Sequence, residues 1–363
     1  MNAHPPAPVF FAVPDMIDDP GRVSGGNVYD RRIRDGLRAD GWELTVLPVA
    51  DGHRELARTL SRLPDGALVL VDGLLVARDP DALIEQGPRL PVVVLAHGVA
   101  PDLGDRERDA FRSARGVVAT SRWTRGELIE RDAVDPRRVV VAHPGTDPAP
   151  ATAASASGGR LLCVATVAPH KGQDLLVRAL TRVADIPGWT CVLAGSLRAA
   201  PEFVARLTDE IAAAGLGDRI MLTGVLTGRA LQDAYARADL VIAPSRHESY
   251  GMSVAEALAR GIPVLASDVG GISEAIGGVA DGGAANGGAA SGEASGEAAM
   301  VVPPDDAWAL EVVLRRWLTD PAGRRRRKAA ARDARSAIRP WTATTAVVAS
   351  ALADAARVEV ARP

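Results

Sequence analysis

Apolar residues fall in twelve short runs, arranged as two series of six. The first series is 9–13, 44–47, 67–71, 92–96, 117–119 and 139–142. The second is 161–165, 190–194, 220–223, 240–243, 264–266 and 299–302. Each run is short, rich in Val and Leu, and bounded by turn residues, which is the pattern of a strand buried on both faces. Between the runs lie helical segments, among them 29–39, 123–131, 175–183 and 231–238. Strands alternating with helices predict βαβ units and parallel sheets, with ligands at the carboxyl ends of the strands. The stretch 148–159 is Pro, Ala, Ser and Gly apart from Thr152, a linker composition between the two series. The pattern therefore predicts two Rossmann-like α/β domains. They are 1–150, then a linker at 151–159, then 160–339.

The stretch 239–276 carries the densest chemistry. The run 240–243 is stopped by Pro244, a polar loop follows, and Gly251 opens a helix whose Val254, Ala257 and Leu258 form one apolar stripe. Glu248 stands in the loop and Glu256 in the helix. At about 100° per residue, Glu256 points about 200° away from Val254 and Leu258, off the core face. The N–H groups of Gly251, Met252 and Ser253 are free to meet an anion. A carboxylate one or two turns further in suits hydroxyls. A phosphate at the helix end with hydroxyls on either side describes a nucleotide sugar.

Pro244, Ser245, Glu248, Ser249, Tyr250, Gly251, Glu256 and Ala257 resemble the PS-x-x-E-G-F-G-x-x-x-x-E-A run of retaining glycosyltransferases of family 4, with its E-x7-E motif. Gly270, Gly271 and Glu274 extend the likeness. The resemblance implies a GT-B fold, two Rossmann-like domains whose parallel sheets face a central cleft. It implies hexosyl transfer with retention from a nucleotide-diphosphate sugar, which serves as co-substrate in place of any cofactor. Lys171-Gly172, between a strand and a helix, offers an ammonium to the diphosphate. In the family an Arg stands a few residues earlier, in G-R-x-x-x-x-K-G. Here Ala165-Thr166 stands there, leaving Arg246 and His170 as candidates for a second cation. Gly224 and Val225 follow the third strand of this half, where the family often holds the nucleobase. By the same resemblance Glu256 accepts from the ribose, Glu248 holds a sugar hydroxyl and Lys171 holds the diphosphate, with Glu248, Lys171 and His97 as the catalytic residues.

The first half is the acceptor domain in this reading. Gly25-Gly26 before a helix permits close approach of a ligand and resembles the family's glycine loop. His97, at the end of the fourth run, resembles the family's active-site His. Ser121, in Thr120-Ser121-x-x-Thr124, is the expected cap of the next helix. Pro144-Gly145-Thr146-Asp147 resembles the family's N-G-V-D crossover, with Pro for Asn and Thr for Val. The last segment, 340–363, is Ala-rich and helical, and the resemblance sends it back to the first domain.

Composition changes this picture little. The chain has 363 residues, 47% apolar and 24% charged, with a net charge of −3, so neither nucleic acid nor an anionic membrane exerts a strong pull. At most a peripheral membrane contact is expected. Cys163 and Cys191 sit inside apolar runs and read as buried thiols. The N-terminus has no signal-peptide pattern and no stretch approaches a membrane span, so a cytoplasmic place is expected. No metal is expected, since no Asp-x-Asp lies at a strand end. The stretch 277–299 is nearly all Gly, Ala, Ser and acid, and a disordered surface loop is expected there. Arg324 to Lys328 are five cations on a helix, read as a solvated face, with an anionic-surface contact as the alternative. Two other readings share the fold: a sugar-nucleotide epimerase and a silent nucleotide-sugar binder. A dinucleotide oxidoreductase is disfavoured, because G-x-G-x-x-G is absent from the first strand-helix turn.

Overall fold

The computed structural model describes residues 8–153, 155–277, 293–335 and 339–357. The chain divides into two compact units. The first holds Gly25–Gly145, the stretch before Pro20 and the segment from Pro340 onward; the second holds Pro20–Ser24 and Thr146–Arg339.

All twelve apolar runs are strands. In the first unit they are β1 (Val9–Pro14), β2 (Leu44–Val49), β3 (Leu68–Asp72), β4 (Val92–Ala96), β5 (Gly116–Ala119) and β6 (Val139–Val141). They form one parallel sheet in the order β2-β1-β3-β4-β5-β6. Side chains alternate between two cores. Val69, Val71, Val92, Val94 and Ala96 face one, and Leu68, Leu70, Val93 and Leu95 face the other. Burial on both faces is what makes these runs unbroken in apolar character. The second core is closed by the helix Trp341–Arg357, through Val348 and Leu352. That helix lies so near the helix Gly25–Ala39 that a Cβ at Gly36 would collide with Thr345.

The second unit repeats the plan with β7 (Arg160–Val164), β8 (Thr190–Ala194), β9 (Ile220–Gly224), β10 (Leu240–Ala243), β11 (Val264–Ser267) and β12 (Ala299–Val302). The parallel order is β12-β11-β10-β7-β8-β9. Cys163 and Cys191 are free and buried in it.

One expectation fails in part. The stretch 277–299 is not a loop to its end. Gly277 closes the helix Ile272–Gly277, Glu293–Ala298 is a helix, and Ala299 opens β12; residues 278–292 lie outside the described residues. Ala298 and Ala299 are buried against Ala330 and Ala331 of the helix Pro321–Ala334. A segment with no large apolar side chain is held here by alanine-to-alanine packing, which a count of large hydrophobes overlooks.

Candidate active site

In the second unit the carboxyl ends of β7 and β10 bring the motif residues together. After β7 the chain makes a 3₁₀ turn, Pro169–Lys171, and Gly172 follows with φ +68°. A Cβ at Gly172 would strike the carbonyl of Pro244, so glycine is what lets the turn lie against the end of β10. Lys171 is thereby placed on Glu248: Nζ donates to Oε2 at 2.7 Å, and each side chain is 19% exposed. Ser245 Oγ donates to the same oxygen at 3.5 Å.

Arg246 fastens the loop to the turn. Its guanidinium donates to both oxygens of Asp174, at 2.7 and 2.8 Å, to Asp305 at 2.7 Å and to the Pro169 carbonyl at 2.7 Å. Its own N–H donates to the His170 carbonyl at 2.8 Å. Burial would raise the Asp174 carboxyl, but the hydrogen bonds and charge of Arg246, aided by Arg178, hold it below its ordinary value. Arg246 is thus a clamp between loop and turn. His170 carries little charge near neutral pH, because burial and the adjacent ammonium of Lys171 push its imidazole down.

The backbone beyond Glu248 is equally constrained. The Gly271 N–H donates to the Glu248 carbonyl at 3.1 Å, and a Cβ at Gly271 would strike the Ser249 carbonyl. Tyr250 is buried, and Gly251, at φ +98°, turns the chain into the helix Met252–Ala259. No side chain caps this end, and the N–H groups of Met252 and Ser253 bond to no other described residue. Glu256 accepts from the Tyr235 hydroxyl at 2.7 Å. Arg260 lies over the Tyr235 ring at 4.4 Å and donates to the Glu256 carbonyl at 2.8 Å. Tyr235 is fully buried; burial and then the charge of Glu256 raise its phenol well above the ordinary value, so it acts as a donor. Gly224 ends β9 at φ +72°, and its carbonyl accepts from Gly195 N–H at 2.9 Å; Val225 follows in the loop.

In the first unit, Gly25 and Gly26 begin the helix Gly25–Ala39, and a Cβ at Gly26 would sit 3.4 Å from the His97 ring. His97 lies just beyond β4, with Tyr29 edge-on at 5.3 Å. Two carboxyls converge on it. Nε2 is 2.8 Å from Asp30 Oδ1 and 3.6 Å from Asp72 Oδ1. The donor atoms of all three residues lie within 4.8 Å of one another, close enough to share protons or a cation. Ser121 caps the helix Arg122–Glu130 by accepting from Thr124 N–H at 2.9 Å.

Lys171, Glu248 and the loop 249–251 were legible as motif residues. Tyr235, Asp174, Asp305, Asp30 and Asp72 were not. Each is a polar side chain remote in sequence from its partner. The single legible signal was a Tyr on the helix before β10 in a chain with three tyrosines.

Residues 153–334 match the family described as Glycosyl transferases group 1. The D-inositol 3-phosphate glycosyltransferase of Kineococcus radiotolerans is 35% identical over 267 residues, 67% of this chain and 58% of that protein. The lipopolysaccharide core biosynthesis mannosyltransferase LpsB of Rhizobium meliloti is 33% identical over 150 residues, 41% of this chain and 38% of that protein. The chain thus spans about half the length of the curated relatives it matches. Among solved structures, sucrose-phosphate synthase from Thermosynechococcus elongatus superposes with a TM-score of 0.71 at 21% identity, over 95% of this chain and 98% of that one. Anabaena HepE in complex with UDP-glucose does so with 0.71 at 17% identity, over 94% and 98%. At such identities the likeness is one of fold, and the fold is GT-B.

Proposed function

We propose that this chain, which belongs to the glycosyl transferases group 1 family, moves a hexosyl group from a nucleotide-diphosphate sugar to an acceptor, with retention at the anomeric carbon. The observation that carries the reading is the Lys171–Glu248 pair at the ends of β7 and β10, clamped by Arg246. The HepE complexes with UDP and UDP-glucose support a nucleotide-sugar donor.

The physical logic is leaving-group stabilisation. Departure of the sugar puts negative charge on the diphosphate. Lys171 and the uncapped N–H groups of Met252 and Ser253 are donors fixed in advance, so they lower the barrier without reorganising. Glu248, paired with Lys171, accepts from a sugar hydroxyl. Glu256, held by Tyr235, accepts from the ribose. Gly224 and Val225 offer backbone groups to the base, and Ser249 to Ser253 line the donor. The first unit holds the acceptor, near Gly25, Gly26 and His97.

A second reading, a silent nucleotide-sugar binder, is favoured by one observation. Ala165-Thr166 replaces the family's Arg, and Arg246 is already committed to Asp174 and Asp305. The test is turnover of a panel of nucleotide sugars by wild type and Lys171→Ala. Release of nucleoside diphosphate by wild type, falling about 100-fold or more in the variant, supports transfer. Tight binding with no turnover supports the silent relative.

A further inference from the structure

Among the described residues, five buried side-chain atoms lack a hydrogen-bond partner, and four of them lie together: both oxygens of Asp30 and both ring nitrogens of His97. Asp30 is completely buried. A carboxylate in that position must either take a proton or face a cation. The nearest group able to carry that charge is His97, whose Nε2 lies 2.8 Å from Asp30 Oδ1. Asp72, from the end of β3, reaches the same nitrogen at 3.6 Å and accepts from Leu74 N–H at 2.7 Å.

The three groups come from three elements at the point where the strand order reverses around β1 and β3, where ligands bind in open parallel sheets. Tyr29 is a further titratable neighbour. Its hydroxyl donates to the Ala142 carbonyl at 2.9 Å, and burial keeps the phenol neutral.

We propose that Asp30 and Asp72 are positioning residues that hold His97 as an imidazolium, so that it serves the reaction as a fixed cation and N–H donor and not as a base. Burial alone would strip the proton from His97. The charges of Asp30 and Asp72 outweigh that, and the imidazole is raised to about 9. Burial and then the charge of Asp30 push Asp72 up to about 7, against the pull of His97. Near neutral pH the ring therefore carries both its protons, and Asp72 is about half protonated. An imidazolium cannot accept the acceptor's proton. It can attract an oxygen of a ligand bound in the first unit. This role rests on the proposed function; the protonation state does not.

The experiment is an NMR titration of the histidine ring signals in the whole protein, with His97→Gln to assign the signal. The expected result is a His97 midpoint near 9, falling by at least one unit in Asp30→Asn and by less in Asp72→Asn, with Asp30→Glu restoring it. A wild-type midpoint at or below 6.5, or no movement in Asp30→Asn, overturns the proposal. So does tight one-to-one uptake of Zn²⁺ or Mn²⁺ that is lost in Asp30→Asn, which would make the cluster a metal site. If nucleotide-sugar turnover exists, Asp30→Asn should lose it at a lower pH than wild type, which holds it to near 9. Absence of any turnover would defeat the proposed function and leave the titration to judge the cluster.

Discussion

Lys171 and Glu248 neutralise one another at 2.7 Å, and this sets opposite expectations for their removal. Lys171→Ala leaves a largely buried carboxylate without its cation, at a cost on the order of 1–3 kcal/mol in stability, and on the proposed function removes the ammonium that receives the diphosphate. Glu248→Gln frees that ammonium. Nucleoside diphosphate should then bind as tightly as before or tighter, while sugar transfer falls, as calorimetry and steady-state rates on one preparation would show. Weaker binding in Glu248→Gln would mean that the carboxylate positions the ammonium more than it neutralises it. Tyr235→Phe removes one hydrogen bond to Glu256. About 1 kcal/mol is at stake, so the donor Michaelis constant should rise roughly five-fold with little change in turnover number. An equal fall in turnover number would remove Glu256 from the role of ribose acceptor.

Among elements, the joint between the Pro169–Lys171 turn and the loop after β10 governs the site. Asp174→Asn keeps the shape of the joint and removes its charge. The Asp174 carboxyl lies below its ordinary value of 3.8 in the folded chain. Its contribution to stability is therefore present above about 3.8 and lost as pH falls through the lower folded value. The variant should melt earlier than wild type at pH 7, and the gap should narrow below 3.8. A gap that stays constant with pH would contradict the assignment. Gly172→Val should lower the melting temperature more than Asp174→Asn, because φ +68° and contact with Pro244 leave no space for a side chain.

The same joint shows what could be read without the structure. Strand runs were legible because both faces of each sheet are buried, so nearly every residue in a run is apolar. Glu248, Gly251 and Glu256 were legible because a loop and one helix hold them in sequence. Arg246 was legible only as a spare cation. Its partners Asp174 and Asp305 lie 72 and 59 residues away, and nothing local marks them. Asp30, Asp72 and His97 are scattered in the same way, so a search for Asp-x-Asp passes over them. The helix Glu293–Ala298 was missed because its packing rests on alanine.

For the whole molecule, each unit supplies its own kind of chemistry. The second carries the cation, the free N–H groups and the carboxylates suited to a nucleotide sugar. The first carries a buried carboxyl pair on a histidine. Among the described residues no helix is long and apolar enough to cross a membrane. Transfer as proposed requires that a diphosphate is received at Lys171. Calorimetric titration of UDP, GDP and ADP into wild type and Lys171→Ala tests it directly. At least one nucleotide should bind wild type, and its affinity should fall ten-fold or more in the variant, with the melting temperature at pH 7 used to confirm folding. Equal affinity in the two proteins, or no binding of any of the three to wild type, would contradict it.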